Sequence, residues 1–247
     1  MGAPPKPTMS DSLLGRQAAL LEYLTSGEAI FGEGDLSLEK FGVNRGLLHL
    51  EAKYSHLKRM GKIEAVLATT LDLLGTNREE IVRAFAEECP PASIDRLDNA
   101  RQFHAFLLAR WREGLPQPSC LPDIAAFEIA HSAVQGKDDV PAQAAPISPP
   151  GSIRRHRAVA LLRCAYDIMP LLESRGDATA SQLQETLIAI AMPEGAIAPS
   201  VYTLPRELFI LVELLDEFTD PQVFSDIPDV NSIIGQLAAG GLLEVSR

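Results

Sequence analysis

Residues 186–192, TLIAIAM, are apolar on both of their alternating faces, with Ile188, Ile190 and Met192 on one and Leu187, Ala189 and Ala191 on the other. A strand that reads this way has no face to give to water and must be covered on both sides. Pro193-Glu194-Gly195 supplies a turn, and the chain returns over residues 196–204 with Pro199 in the middle. Proline has no N–H for a ladder, so the returning strand is expected at a sheet edge or broken by a bulge. An edge of this kind accepts another strand.

Pro205 stands where a first helical residue is expected, and Leu208, Leu211, Val212, Leu215 and Phe218 follow at helical spacing. A further helix runs from Pro228 through Val230, Ile233, Ile234 and Leu237 to Gly240-Gly241, which suit a left-handed cap. Strands followed by short helices predict a winged-helix-like α+β module over residues 153–247.

Residues 11–135 read almost entirely as helix. Leu13, Leu14, Leu20, Leu21 and Leu24 give a first amphipathic helix, closed by the glycine-rich SGEAIFGEGD read as a connection. Helices over 44–59 and 63–74 follow, punctuated by Gly61 and Gly75, and Thr76-Asn77-Arg78-Glu79 has the pattern of a capping box opening a fourth. Pro90-Pro91 stops it, Ser93 opens a long helix to Gly114, and residues 121–134 form the last helix of a bundle. Residues 136–152 are rich in Pro and Ala without periodicity and predict an interdomain linker. Residues 158–172 read as extended, with helix an alternative for their first half. Residues 1–10 have no apolar core of signal-peptide length and are expected to be disordered, with Met9 an alternative start. The fold class expected is mainly α with a small β-sheet: an N-terminal helical bundle and a C-terminal α+β domain.

A net charge of −11 over 247 residues lacks the basic footprint of a phosphate-tracking groove. The three cysteines are far apart and in no ligand spacing, which predicts reduced thiols in a cytoplasmic protein. The five histidines occur singly, and His49 and His56, two helical turns apart, are separated by about 10 Å along an axis. No metal is expected in this chain. No phosphate loop, nucleophile elbow or Cys-His neighbourhood is present, so no catalytic residue is assigned.

Two features stand out from this background. Arg154-Arg155-His156-Arg157 is a basic cluster on an acidic chain, suited to an acidic peptide or simply to decorating the end of a linker. The edge strand beside the last helix is expected to form a groove in which an extended peptide adds main-chain hydrogen bonds; the alternative is that the N-terminal domain covers the same edge. Val201, Tyr202, Thr203, Ile233 and Leu237 are expected to line that groove, with Arg155 and Arg163 holding acidic side chains. Arg101, His104, Trp111 and Arg112 on one helix are the expected partner interface, because a lone Trp beside arginines is typical of binding hot spots. Trp111 as ordinary bundle core is the alternative.

LPDIAAFEIAHSAV (121–134), SIRRHRAVALLRCAYDIMPLL (152–172) and TLPRELFILVELLDEF (203–218) resemble the helical accessory proteins encoded with multinuclear non-haem iron-dependent oxidative enzymes. These include the partner proteins of methanobactin biosynthesis and of the thiaglutamate pathway. The similarity extends over most of the chain from Leu13 onward. It implies an N-terminal helical domain that docks the enzyme in a heterodimer, and a C-terminal domain that captures a ribosomally made precursor peptide. It assigns the iron, two or three ions, and the oxygen chemistry to a TIM-barrel partner, with no cofactor in this chain. For the thiaglutamate case the implied reaction is oxidative excision of the β-carbon of a C-terminal peptidyl cysteine; for methanobactin, formation of oxazolone and thioamide from cysteine. The long N-terminal bundle favours the former. Competing readings are a winged-helix transcription regulator, opposed by the absence of basic residues from Asp229 to Leu242, and a stand-alone enzyme. Neither nucleic acid nor membrane is an expected partner.

Overall fold

The computed structural model describes residues 13–32, 44–114, 116–136, 149–174 and 182–246. Of these, 59% are helical and 14% extended, so the protein is mainly α with small antiparallel sheets. The expected disordered N-terminus and most of the expected linker lie outside the described residues. The chain divides into two compact units, Met1–Gly114 and Leu115–Arg247.

The first unit contains α1 (Leu13–Leu24), α2 (Gly27–Phe31), α3 (Arg45–Glu64), α4 (Ala68–Leu73), a 3-10 turn at Gly75–Asn77, α5 (Arg78–Glu88) and α6 (Arg96–Glu113). Its core is aromatic: Phe85 meets Phe103 edge to face at 4.9 Å, and Ile63, Leu67, Leu71 and Leu107 are fully buried around them. Three readings of the sequence are corrected here. Ser26 caps α2 by accepting from the Ala29 amide, so SGEAIF is a short helix where a loop was expected. Gly61 lies inside α3, which runs on to Glu64 because Ile63 on its inner face is completely buried. No side-chain cap forms at Thr76 or Asn77, since the preceding 3-10 turn already leads the backbone into α5.

Arg59 ties this unit together from within. Its guanidinium lies over the Phe85 ring at 4.2 Å and donates to the Cys89 carbonyl (2.7 Å), Gln102 Oε1 (2.8 Å) and Asn99 Oδ1 (3.2 Å). It therefore joins α3 to the end of α5 and to α6 through neutral oxygens.

The second unit contains α7 (Leu121–Gln135), β1 (Ile153–Arg155), β2 (Ala160–Asp167), α8 (Met169–Ser174), β3 (Gln182–Ala191), β4 (Ser200–Thr203), α9 (Arg206–Leu214), α10 (Val230–Ala239) and β5 (Leu243–Val245). Strands β2, β3 and β4 form an antiparallel sheet in that order, and β1 pairs with β5 in a second, two-stranded sheet. β3 is central, and Ile188, Ala189, Ile190 and Ala191 are each 0% exposed, as a strand apolar on both faces requires. Leu161, Ala189, Ala191 and Tyr202 face a cluster built with Leu211, Val212 and Leu215 around α9 and Ile234 and Leu237 of α10. The opposite parity, Leu162, Cys164, Ile188 and Ile190, lies on the side where α7 packs across β2 and β3.

α7 thus belongs to the sheet, whereas the sequence assigned it to the N-terminal bundle with a boundary at 136–152. The unit boundary falls at Gly114–Leu115 instead. A β-bulge between Cys164 and Tyr166 turns the Tyr166 amide toward Asp123 of α7, whose Oδ2 accepts from it at 2.9 Å. The run 158–172 is strand only to Asp167 and continues as α8. At the other end, Gly241 (φ 74°) ends the turn after α10 so close to the β3–β4 turn that a Cβ there would come within 2.9 Å of Pro193 Cα.

Replacing Arg59 with Leu removes a charged donor from three oxygens and is expected to destabilise the first unit by about 2–4 kcal/mol. Urea denaturation followed by hydrogen exchange resolved to α3, α5 and α6 measures this; unchanged protection there would show that the Arg59 hydrogen bonds do not hold the unit.

Candidate functional site

The sheet positions the site through the unequal lengths of its strands. β4 covers only Ile188–Ala191 of β3, pairing Thr203 with Ile188, Tyr202 with Ala189, Val201 with Ile190 and Ser200 with Ala191. Pro199 ends the strand on one side and Pro205 on the other, so the returning strand is half the length expected from residues 196–204. Its expected edge position holds: among the described residues no strand pairs with the outer side of β4. The Leu204 amide donates inward to the Leu187 carbonyl at 2.9 Å. By the alternation of an antiparallel ladder, Tyr202 also faces inward with its main chain, while Val201 and Thr203 turn their N–H and C=O groups to the open side.

Below Leu187 no described strand pairs with β3 on its β4 side, and Gln182, Leu183, Gln184 and Glu185 are exposed. A cleft of about 310 Å³ opens there, lined among others by Thr203, Leu204, Thr186, Glu185 and Arg206. Arg206 and Glu185 face one another across it at 3.8 Å. The cleft continues the line of β4 past its end, and Thr203 belongs to both.

The five predicted groove residues divide between the two faces of the sheet. Tyr202, Ile233 and Leu237 come together, but as a packed contact: Leu237 is buried, Ile233 half-buried, and the Tyr202 hydroxyl donates to the Gly240 carbonyl at 3.1 Å. Val201 and Thr203 point their side chains to the other face. Tyr202 fills the space between β4 and α10, so the accessible feature is the strand edge with its adjoining cleft.

Arg155 and Arg163 are already neutralised. Arg155 pairs with Asp216 and donates to the Glu213 carbonyl, while Arg163 reaches the Glu213 carboxylate at 2.5 Å and lies over the Phe209 ring. Arg154 is held by Glu244 and lies over Phe218 at 4.3 Å. The acidic partners expected from a bound peptide are supplied by the chain itself, because α9 and the turn after it bring Glu213 and Asp216 beside β1 and β2. The signal was present in VELLDEF, where both acids follow the apolar face of α9.

On α6, Arg101 and Arg112 are exposed, with Arg101 at 3.5 Å from Asp98. His104 and Trp111, two turns apart, are half-buried at the margin of the buried face formed by Ala100, Phe103 and Leu107. Burial pushes the His104 imidazole below its ordinary value, and its Nε2 has no hydrogen-bond partner among the described residues. His56 on α3 is lowered likewise, by burial first and then by Arg59.

Two of the thiols, Cys164 and Cys89, are shifted toward their protonated form. Burial, then the nearby Asp123 carboxylate, pushes Cys164 up to about 12, and burial raises Cys89. Among the described residues no group of three or more His, Cys, Asp or Glu side chains stands close enough together to hold a metal ion. No described helix is long and apolar enough to cross a membrane. No protein-family model matches the chain, and no curated protein matches it.

The buried histidines set a pH dependence. A lowered folded-state pKa means that the unfolded chain binds the proton more readily, so stability is full above 6.5 and falls as pH drops below it toward the folded value. The melting temperature of the first unit is expected to decrease between pH 7.5 and roughly 5, and His104→Phe to flatten that decrease. An identical slope in His104→Phe would remove His104 from the account.

Proposed function

We propose that this chain is the accessory, peptide-binding subunit of an iron- and oxygen-dependent enzyme that modifies a cysteine of a ribosomally made precursor peptide. The observation that carries the reading is the four-residue edge strand β4, with Val201 and Thr203 offering main-chain groups outward beside the cleft at Thr203–Arg206. An extended peptide aligned with β4 gains ladder hydrogen bonds at Val201 and Thr203 and seats a side chain in the cleft. An antiparallel sheet β2-β3-β4 followed by α9 and α10 supports the reading of this unit as a winged-helix-like peptide-recognition domain.

The division of labour follows from the side chains. Raised thiol pKa values and unclustered histidines suit a chain that presents a substrate to chemistry carried elsewhere, and the resemblance to accessory proteins of multinuclear iron enzymes supplies the partner. In this reading the iron and the TIM barrel belong to the partner enzyme, the first unit docks it, and the favoured reaction is the thiaglutamate-type excision of the cysteine β-carbon over oxazolone and thioamide formation. The protein works in the cytoplasm as a heterodimer.

Co-expression with the genomically neighbouring iron enzyme, followed by size exclusion and metal analysis, tests this reading. A stable complex with iron present only when the enzyme is present is expected; iron bound by this chain alone, or no complex, overturns it. Val201→Pro removes an outward N–H from β4 and is expected to weaken binding of the precursor peptide about tenfold, with both units still folded by circular dichroism. Unchanged peptide affinity would exclude the β4 edge.

A further inference from the structure

α3 turns one face into the first unit and carries a line of apolar side chains on the opposite face. At about 100° per residue, Leu48, Ala52, His56, Arg59 and Ile63 form one line, and all five are buried in the first unit. Leu47, Leu50, Tyr54 and Leu57 form a second line nearly half a turn away, 62%, 46%, 54% and 53% exposed. A helix at the surface of a folded unit needs one apolar face; four large side chains in 3-4-3 spacing on the solvent side form a seam of the kind that receives another helix.

The rim of this seam is basic on an acidic protein. Lys53 borders one side and Lys58 the other, and neither is paired with a carboxylate among the described residues. Glu51, also on the rim, accepts from Ser55 Oγ within α3 at 3.3 Å. With Leu47, Leu50, Tyr54 and Leu57 as seam positions, Lys53 and Lys58 occupy the flanking positions that set partner choice in paired helices.

That charge pattern selects the occupant. Parallel self-pairing places Lys53 against Lys58 of a second copy, and antiparallel self-pairing centred on Ala52 places Lys53 against its own counterpart and Glu51 against Glu51. Both arrangements set like charges face to face. An anionic membrane is disfavoured because two lysines stand against a net charge of −11. We infer that the outer face of α3 is the docking surface for an amphipathic helix of a different protein, with aliphatic side chains along its seam and carboxylates flanking it opposite Lys53 and Lys58. The inference rests on the accessory-subunit reading, since the partner is the enzyme chain. It moves the interface from the predicted Arg101, His104, Trp111 and Arg112 of α6 to α3.

The test uses the full chain and the purified neighbouring iron enzyme, with affinity measured by interferometry. Leu50→Asp with Tyr54→Asp is expected to raise Kd about a hundredfold or more while binding of the precursor peptide to this chain is unchanged. Lys53→Glu with Lys58→Glu, at exposed positions, is expected to lower the association rate about tenfold in low salt, a difference that disappears near roughly 1 M salt. Wild-type binding with unchanged affinity in both variants overturns the α3 surface and leaves the accessory reading standing; absence of any complex overturns both. Should the aspartate variant fail to fold, the charge-reversal variant decides. Sedimentation of the chain alone as a dimer split by Leu50→Asp, or binding to phosphatidylcholine–phosphatidylserine vesicles lost in the same variant, assigns the surface to another occupant and also overturns the inference.

Discussion

A strand with no face toward water constrains everything around it, and β3 is such a strand over residues 188–191. Its main-chain groups must be satisfied sideways, by β2 and β4, and its side chains must be covered above and below. Ile188 and Ile190, fully buried on one face, each contribute about 2–3 kcal/mol, and that face needs a layer of its own. α7 provides it from beyond the stretch 136–152, while α9 and α10 cover the other face. The Asp123 carboxylate then fixes α7 to the β2 bulge, at a cost in desolvation that raises its pKa and that the Tyr166 and Ala165 amides offset. The same strand is exposed from Gln182 to Glu185, and this change from buried to exposed within one element leaves the cleft beside the end of β4.

Charge is used inward in both units. Arg59 is buried against neutral oxygens and an aromatic ring, and Arg154, Arg155 and Arg163 are matched by Glu244, Asp216 and Glu213. Exposed pairs such as Arg163–Glu213 contribute little stability, within about 1 kcal/mol, yet each removes a cation from the pool that could meet a ligand. Little of the basic cluster at 154–157 remains for electrostatic capture. Lys53 and Lys58 differ in that nothing within the described chain answers them.

Elements set by local pattern were legible in the sequence, and those set by tertiary competition were not. The double alternation of 186–192, the 3.6-residue period of α1 and of α9 as far as Leu214, and the Gly240-Gly241 stop of α10 have one local solution each, and the structure adopts it; Leu215 and Phe218, also expected at helical spacing, lie beyond the end of α9. Gly61 was misread because a glycine inside a helix costs only about 1 kcal/mol relative to alanine, less than the burial of Ile63 beyond it returns. The allegiance of α7 was hidden because an apolar helix face does not say which sheet or bundle it meets. For the site, the edge position of β4 was one of the two outcomes that Pro199 predicted, although Pro199 stands just before the strand and not within it. The pairing of Arg155 and Arg163 was not legible, because it depends on where the end of α9 is carried by the packing of Leu211, Val212 and Leu215. The outer face of α3 was masked by periodicity itself: the buried line and the apolar line opposite it read together as one helix.

The size of the β4 edge bears on how a peptide could be held there. Val201 and Thr203 offer at most two N–H and two C=O groups, and main-chain hydrogen bonds contribute about 1 kcal/mol each net of water. Ordering an extended segment and giving up its translational freedom costs about 4 kcal/mol at the least, so the ladder by itself brings binding near to break-even. Useful affinity on this edge has to come from side chains, and the place that adjoins the ladder is the cleft reached through Thr203, where Leu204 offers apolar surface and Glu185 and Arg206 offer one charge of each sign. The Glu185–Arg206 separation of 3.8 Å is longer than a tight ion pair, so a polar side chain can insert between them without breaking a strong interaction. In the proposed reading, a peptide would be selected by the one or two side chains next to the end of β4, and its register would be fixed by the two prolines, Pro199 and Pro205, that limit the strand to four residues.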